Sequence, residues 1–233
     1  MTTALRRKQA VLYCIVASWL LLAGRALGES RSMNCDSKLP ATHAQLAEGD
    51  QNTANHLELS RKIASGASVD LDVCAADLAI TASGSDLLRV TVDIGNPAQK
   101  LTAADYLQAL DVTSQGVAIQ LHLPKSVRAK VVVAIPSAIA KLEVDLVSGD
   151  LSFQTDRIGG KREINVVRGH VELLGNADSY ASLHVDVVMG SFHDHRKGGE
   201  DHHFMVSQSL SGTGKGSIEI NVVAGRVDIK AWD

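Results

Sequence analysis

The sequence predicts an all-β protein built as a single-stranded β-solenoid, with coils of about 20 residues. Three observations predict this fold class. Four segments align without gaps around a glycine, apolar residues alternate with polar ones inside each segment, and the composition is aliphatic. Of the 233 residues, 45% are hydrophobic but only 3% are aromatic.

The four repeats are strands interrupted by a corner. Each has apolar residues at every second position on both sides of its glycine, which is the period of a half-buried strand. The two halves are out of phase, so the chain must bend at the glycine, where a positive φ is tolerated. The repeats are LEVDLVSGDLSF (142–153), REINVVRGHVEL (162–173), LHVDVVMGSFHD (183–194) and IEINVVAGRVDI (218–229).

A unit of this size cannot bury its own apolar face, whereas a stack of such units can. The natural stack has one coil per repeat, with strands pairing in parallel about 4.8 Å apart. The abundance of valine and isoleucine favours strands of this kind. Upstream, six shorter segments also read as strands between turn residues. They are HLEL (56–59), SVDLDV (68–73), DLAI (77–80), LLRVTVDI (87–94), VAIQLHL (117–123) and AKVVVAI (129–135).

The amino-terminal residues predict export. Residues 1–28 combine a basic start, an apolar run and the small-x-small pattern Ala26-Leu27-Gly28, as in a secretory signal peptide. A retained anchor is the alternative. The remaining organisation is a polar segment at 29–55 and the β-solenoid at 56–233. The expected location is the periplasm, the outer surface or the extracellular space, and the only expected membrane contact is through the signal during export.

Charge and cysteine content narrow the partners. The whole chain has a net charge of −3, and without residues 1–28 it keeps 19 basic and 26 acidic residues, a net charge of −7. This acidity argues against nucleic acid, which is bound largely through Lys and Arg. Two cysteines follow the signal, Cys35 and Cys74, and an even number in an exported chain predicts one disulfide. Two unrelated thiols are the alternative.

Several pieces of the chain resemble the bacterial putative-adhesin family of secreted and surface proteins. They are SVDLDVCAADLAITASG, VVVAIPSAIAKLEVDLVSGDLSF and SGTGKGSIEINVVAGRVDI, in that order, and the resemblance covers about residues 56–230. Pro136 and Ser148-Gly149-Asp150 stand where that family has a proline and a Ser-Gly-Asp. The resemblance implies a β-solenoid on the cell exterior, and it implies no catalytic residues.

The last two repeats are separated by a histidine-rich stretch, SFHDHRKGGEDHHF (191–204). Because the spacing here exceeds a normal coil, the stretch is predicted to be a loop inserted at one corner. His193, His195, His202 and His203, with Asp194, Glu200 or Asp201, form a candidate zinc or copper site. A solvated polar loop and a pH-responsive loop are the other interpretations.

One polar position recurs four residues before each glycine. These residues are expected on the outer face of equivalent strands, in a ladder that is either a solvent-facing row or a calcium or polysaccharide surface. They are Asp145, Asn165, Asp186 and Asn221. If the chain were a polysaccharide-acting β-helix enzyme, Asp145, Asp186 and His184 would be the first catalytic candidates. No nucleophile elbow or phosphate-binding loop is present in the sequence.

The sequence therefore favours an exported, non-enzymatic protein with a structural or adhesin-like role in the cell envelope and no cofactor. Its partner would be an envelope or surface glycan or protein. A metal-binding or metal-sensing module is the first alternative, and the polysaccharide-acting enzyme is the second. Trp232, just after the last repeat, is a candidate cap for the exposed end of the solenoid.

Overall fold

The computed structural model describes residue 35 and residues 46–96, 101–124, 126–196 and 200–231. The predicted signal peptide, most of the polar segment and the candidate cap Trp232 lie outside these residues. Within them the chain is all-β, as predicted, with two short 3₁₀ turns and no α-helix. None of the helical turns described is long and apolar enough to cross a membrane.

The described ranges contain fourteen strands in one open sheet. In chain order they are β1 (Gln51–Asn52), β2 (His56–Lys62), β3 (Ser68–Ala75), β4 (Asp77–Ser83), β5 (Leu87–Ile94), β6 (Leu107–Val112), β7 (Gly116–Leu121), β8 (Ala129–Pro136), β9 (Lys141–Gln154), β10 (Lys161–Leu174), β11 (Ser182–Asp194), β12 (Glu200–His203), β13 (Val206–Ser211) and β14 (Ser217–Lys230).

The four glycine repeats are the four long strands. They pair in parallel and in register, so that the glycines of β9, β10, β14 and β11 are neighbours. In each strand the alternation of buried residues stops at the glycine and resumes out of phase, as predicted. The buried side chains of both halves belong to one hydrophobic core.

Shorter strands extend this parallel stack. β3 and β4 pair with the first and second halves of β9, and β7 and β8 pair in turn with β3 and β4. We call each long strand, or each such pair, a layer. The parallel layers follow one another in the order β7/β8, β3/β4, β9, β10, β14, β11.

This order differs from the expected succession of coils along the chain. The last repeat, β14, lies between β10 and β11 instead of beyond β11. The cause is the segment between them, since β12 and β13 fold back antiparallel along one edge of β11. Only the other edge of β11 is then open to β14. The last repeat is therefore interior to the stack and does not form its end.

The histidine-rich stretch is likewise not a projecting loop where it is described. Residues 191–194 end β11, and β12 pairs back against them as a hairpin. At the opposite end of the stack, β5 and β6 lie antiparallel to β8 and β7. Both ends of the parallel stack are thus covered by antiparallel strands, which keeps its long layers from presenting bare edges.

The amino-terminal part of the domain is fastened in two ways. The sheet begins at β1, a few residues before the predicted start at His56, and Asp50 forms a bidentate pair with Arg61, with both N–O distances at 2.6 Å. Cys35 is bonded to Cys74, as predicted, with the two Cα atoms 5.4 Å apart. Because Cys74 lies at the corner of the β3/β4 layer, the disulfide ties Cys35 to the stack.

Candidate functional site

The four histidines of the predicted metal site lie on the β11–β12 hairpin but not on one face of it. His203 is paired with Ser191, His202 with Phe192, and His193 with Asp201. Cross-strand partners share a face, so His202 lies on the same side as the buried Phe192. Its ring stacks on that phenyl ring with centroids 6.1 Å apart.

The other three imidazoles lie close together on the outer side. The ring centroid of His193 is 5.5 Å from that of His203 and 6.1 Å from that of His195. His193 Nε2 is also 3.0 Å from Ser191 Oγ. Across the described ranges, no group of three or more His, Cys, Asp or Glu side chains is placed to hold a metal ion. The four-histidine metal site stays a prediction.

Asp194, one of the proposed additional ligands, is engaged elsewhere. Arg196 donates to both of its carboxylate oxygens at 2.9 Å and to the hydroxyl of the buried Tyr180 at 2.8 Å. Burial by itself raises the pKa of Asp194, but the hydrogen bonds and charge of Arg196 outweigh burial and lower it. This carboxylate therefore anchors the turn end of the hairpin.

The sequence did not single out Asp228, the most heavily contacted carboxylate near the histidines. Its side chain is only 4% exposed, and Oδ2 receives His170 Nε2 at 2.6 Å and Arg226 Nε at 2.9 Å. Oδ1 lies 3.2 Å from His195 Nε2. Burial raises the pKa of Asp228, whereas the hydrogen bonds from His195 and His170 and the charge of Arg226 lower it, and the lowering prevails.

Asp228 was missed because its neighbours come from non-consecutive repeats. β14 lies between β10 and β11, so Asp228 is flanked by Glu172 on one side and His193 on the other. In the sequence these residues occupy equivalent positions of three repeats. Aligning the repeats on their glycines shows that these residues share a register. Only the order of the strands in the sheet shows that they are neighbours.

The predicted ladder of polar residues is present on the outer face of the first strand halves. Asn165 donates to Asp145 at 2.9 Å, and Asn221 donates to Asn165 at 3.0 Å. Asp186 follows next in register. Burial, opposed by the bond from Asn165 and assisted by neighbouring carboxylates such as Asp72, raises the pKa of Asp145.

Seven carboxylates share this outer face, which we call the acidic face. Each is at an outward position of the first strand half in its layer, and neighbouring layers bring them into rows. Lys141 and Lys161 lie at the end of the rows and pair with Glu143 and Glu163. The acidic face consists of Asp70, Asp72, Glu143, Asp145, Glu163, Asp186 and Glu219.

The candidate catalytic residues are not assembled. His184 contacts Asp186 at 3.0 Å within β11. Asp145 is on β9, which is separated from β11 by β10 and β14. Three strand spacings amount to about 14 Å, beyond the carboxylate separations at which glycosidases work.

No protein-family model matches the chain, and no curated protein matches it. Two solved structures are weakly similar to it. A putative cell adhesion protein from Clostridium sporogenes is 13% identical, with a TM-score of 0.43, covering 75% of this chain and 98% of that one. A putative adhesin from Parabacteroides merdae is 8% identical, with a TM-score of 0.21, covering 81% of this chain and 100% of that one. With both TM-scores below 0.5, neither likeness bears on the function of this chain.

Proposed function

We propose that this chain is an exported, non-enzymatic β-solenoid protein with a structural or adhesin-like role in the cell envelope, where it binds a surface glycan or protein. The observation that carries the proposal is the acidic face. It is a surface of side chains repeated layer by layer, not a set of groups converging on one reacting atom.

Several features support the solenoid interpretation. Six parallel layers stack in register around one core, and each long layer turns at a glycine. The antiparallel strands at both ends act as the caps that such stacks need. In a simple solenoid the coils follow one another in chain order. This stack differs because β14 lies between β10 and β11.

Export is supported by the signal-like residues 1–28 and by the Cys35–Cys74 disulfide, a bond that persists in oxidising compartments. The test is fractionation of cells that express the whole chain, with thiol labelling of each fraction. We expect the protein in the envelope fraction or the medium, with both cysteines oxidised. A cytoplasmic protein whose cysteines are both labelled contradicts export.

Binding is tested by immobilising the purified protein and presenting envelope glycans and surface proteins at physiological salt. The double variant Glu163→Gln and Glu219→Gln removes two charges from the acidic face and should weaken binding of a cationic partner about tenfold or more. Glu58→Gln is the matched control, because Glu58 lies on β2, away from that face. Turnover of an envelope polysaccharide that is lost in Asp145→Asn or Asp186→Asn refutes the non-enzymatic role.

A metal-binding or metal-sensing module is the second candidate, favoured by the three imidazole rings of His193, His195 and His203. Calorimetric titration of the chelator-treated protein with zinc, copper and nickel tests it. We expect micromolar or tighter binding that His193→Ala with His203→Ala abolishes. His202→Ala is the matched control, since that ring lies on the opposite face and should leave binding intact. An absence of heat with all three metals rules this candidate out.

A further inference from the structure

Six large apolar side chains lie exposed along the corners of the last layers, and we call this strip the corner ridge. The valines are 46–54% exposed, and the residues at its end are more exposed still. The corner ridge consists of Val167, Val188, Met189, Phe204, Met205 and Val223.

The ridge is continuous because the strands are in register. The same corner position of β10, β14 and β11 is occupied by Val167, Val223 and Val188. In each strand the residues immediately before and after this valine are paired in register with the neighbouring strand. The β12–β13 corner adds the end of the strip, where Phe204 N donates to Gly190 O at 2.8 Å. Three neighbouring layers and the β12–β13 corner therefore contribute to one apolar strip.

The end of the ridge is held in an unfavourable backbone conformation. Phe204 and Met205 have φ values of +63° and +54°, a region that side chains other than glycine, asparagine and aspartate rarely enter. They are also 70% and 67% exposed. Burial in the core does not offset the cost of the positive φ at either residue. The strain and the exposure together indicate a role other than stabilising the fold.

The ridge is large for a surface that stays in water. At these exposures the six side chains present roughly 600 Å², the upper end of the largest apolar patch found on typical monomers. A standard interface buries about 800 Å² on each partner. The ridge with its polar margins is therefore large enough for one protein interface.

The margins of the ridge carry opposite charges. On one side lies the acidic face, with Glu163, Glu219 and Asp186 in the same layers as the ridge valines. On the other side, the exposed Arg168 lies at the corner position that Met189 occupies in β11, and the exposed Arg226 lies beyond the glycine, where its Nε donates to the buried Asp228 at 2.9 Å. A twofold rotation about an axis along the ridge lays the acidic margin of one copy over the basic margin of the other. An axis across the ridge brings acid against acid.

We infer that the corner ridge is the docking surface for a second copy of this chain, with the two ridges parallel and each ridge residue facing its own counterpart. The partner is then a surface that matches both the apolar strip and the charges beside it. This inference concerns self-association and does not depend on which envelope ligand the acidic face binds.

Sedimentation velocity over a range of micromolar concentrations tests the association. We expect the wild-type chain to pass from one chain to two, and Phe204→Asn with Met205→Gly to raise the dissociation constant at least about tenfold. Asparagine and glycine accept positive φ, so this variant should melt at the same temperature as the wild type or higher. Val112→Asn is the control, because Val112 is an exposed valine outside the ridge.

Single cysteine variants test the orientation. Val167 lies at the end of the ridge away from Phe204, so in the parallel arrangement Val167→Cys faces its own counterpart and cross-links under mild oxidation. In the antiparallel arrangement it faces the Phe204 end and does not. Val112→Cys should give no dimer on a non-reducing gel.

A wild-type chain that stays monomeric throughout the concentration range overturns the inference, even if it binds lipid vesicles or another protein through the same residues. A dimer that survives Phe204→Asn with Met205→Gly overturns the ridge as its surface. A dimer that depends on the ridge but does not cross-link through Val167→Cys overturns the parallel arrangement.

Discussion

The corner glycines of the long strands stack on one another so closely that none has room for a side chain. A Cβ on Gly225 would lie 1.7 Å from the carbonyl oxygen of Gly169, and one on Gly190 would lie 1.6 Å from that of Gly225. Carbon and carbonyl oxygen approach to about 3.3 Å without repulsion. We therefore predict that Gly225→Ala forces β14 about 1.5 Å away from β10 at the corner.

The cost follows from the hydrogen bonds that this displacement breaks. A shift of that size lengthens an ordinary N–H···O contact beyond bonding distance. Losing three or four ladder bonds near the corner costs about 3–5 kcal/mol, and φ of +158° adds about 1–2 kcal/mol for alanine. The sum is a large fraction of the 5–15 kcal/mol that holds a typical domain together.

Thermal unfolding followed by circular dichroism measures the effect. For a chain of this size 1 kcal/mol corresponds to about 2–4 °C, so Gly225→Ala should lower Tm by about 10–20 °C or prevent folding. Gly66→Ala is the first control, with φ of +79° but open space around its Cβ, and should lower Tm by about 2–8 °C. Gly84→Ala, with open space and no positive φ, should be neutral or slightly stabilising.

The comparison separates steric exclusion from backbone strain. If Gly225→Ala melts within a few degrees of Gly66→Ala, the layers are not in contact at the glycines and the reasoning is wrong. If all three variants melt together, neither the contact nor the positive φ limits the fold.

Three further predictions concern charged side chains that are buried or half-buried. Asp145→Asn should raise Tm at pH 7 by about 2–4 °C, because the raised pKa of Asp145 in the folded protein makes its charge destabilising above pH 3.8. The Tm values of wild type and variant should converge below that pH. A lower Tm of the variant at pH 7 contradicts this reasoning. Asp228→Asn should lower the free energy of unfolding at pH 7 by about 1–3 kcal/mol. Because the pKa of Asp228 is lowered in the folded protein, the greater stability of the wild type in urea titrations should be lost as the pH falls below 3.8. A stability difference that does not change with pH refutes the ion-pair role. Burial lowers the pKa of Arg162 to about 10, and its guanidinium donates to four carbonyl groups of three connections. Arg162→Met should cost about 2–4 kcal/mol and speed hydrogen exchange in residues 155–160, 176–181 and 212–216, whereas unchanged exchange there shows that the carbonyls need no clamp.

Local features of the repeats were predictable because they depend on short-range periodicity. The residues five before each glycine, such as Val144 and Ile220, are fully buried, and the phase change at the glycine is where the alternation placed it. Six of the eight upstream strands were also predicted, namely β2, β3, β4, β5, β7 and β8, whereas the two-residue β1 was not. β6 was missed because LQALDV has no regular alternation and pairs only at the edge of the stack.

Features that depend on which strands are neighbours were not predictable. The histidine stretch was predicted to be a loop because the spacing between the last two repeats exceeds a normal coil. Its two arms instead pair as the end of β11 and as β12, with the hairpin at the edge of the sheet. The cluster around Asp228 was missed because it too depends on which strands are neighbours. His170 and His195 reach it only because β14 lies between their strands.

The sequence by itself determined the layer: strand, glycine corner and strand, with the inward residues, the outward polar ladder and the disulfide partners. Tertiary structure alone decided the order of the layers and the strands that cover their ends. The physical reason is that parallel strands pair through backbone hydrogen bonds, which do not distinguish one side-chain sequence from another. Repeats as similar as REINVVRGHVEL and IEINVVAGRVDI therefore offer equivalent edges to a neighbouring strand. The choice among equivalent edges falls to the antiparallel strands β12 and β13, which occupy one edge of β11 and leave the other to β14.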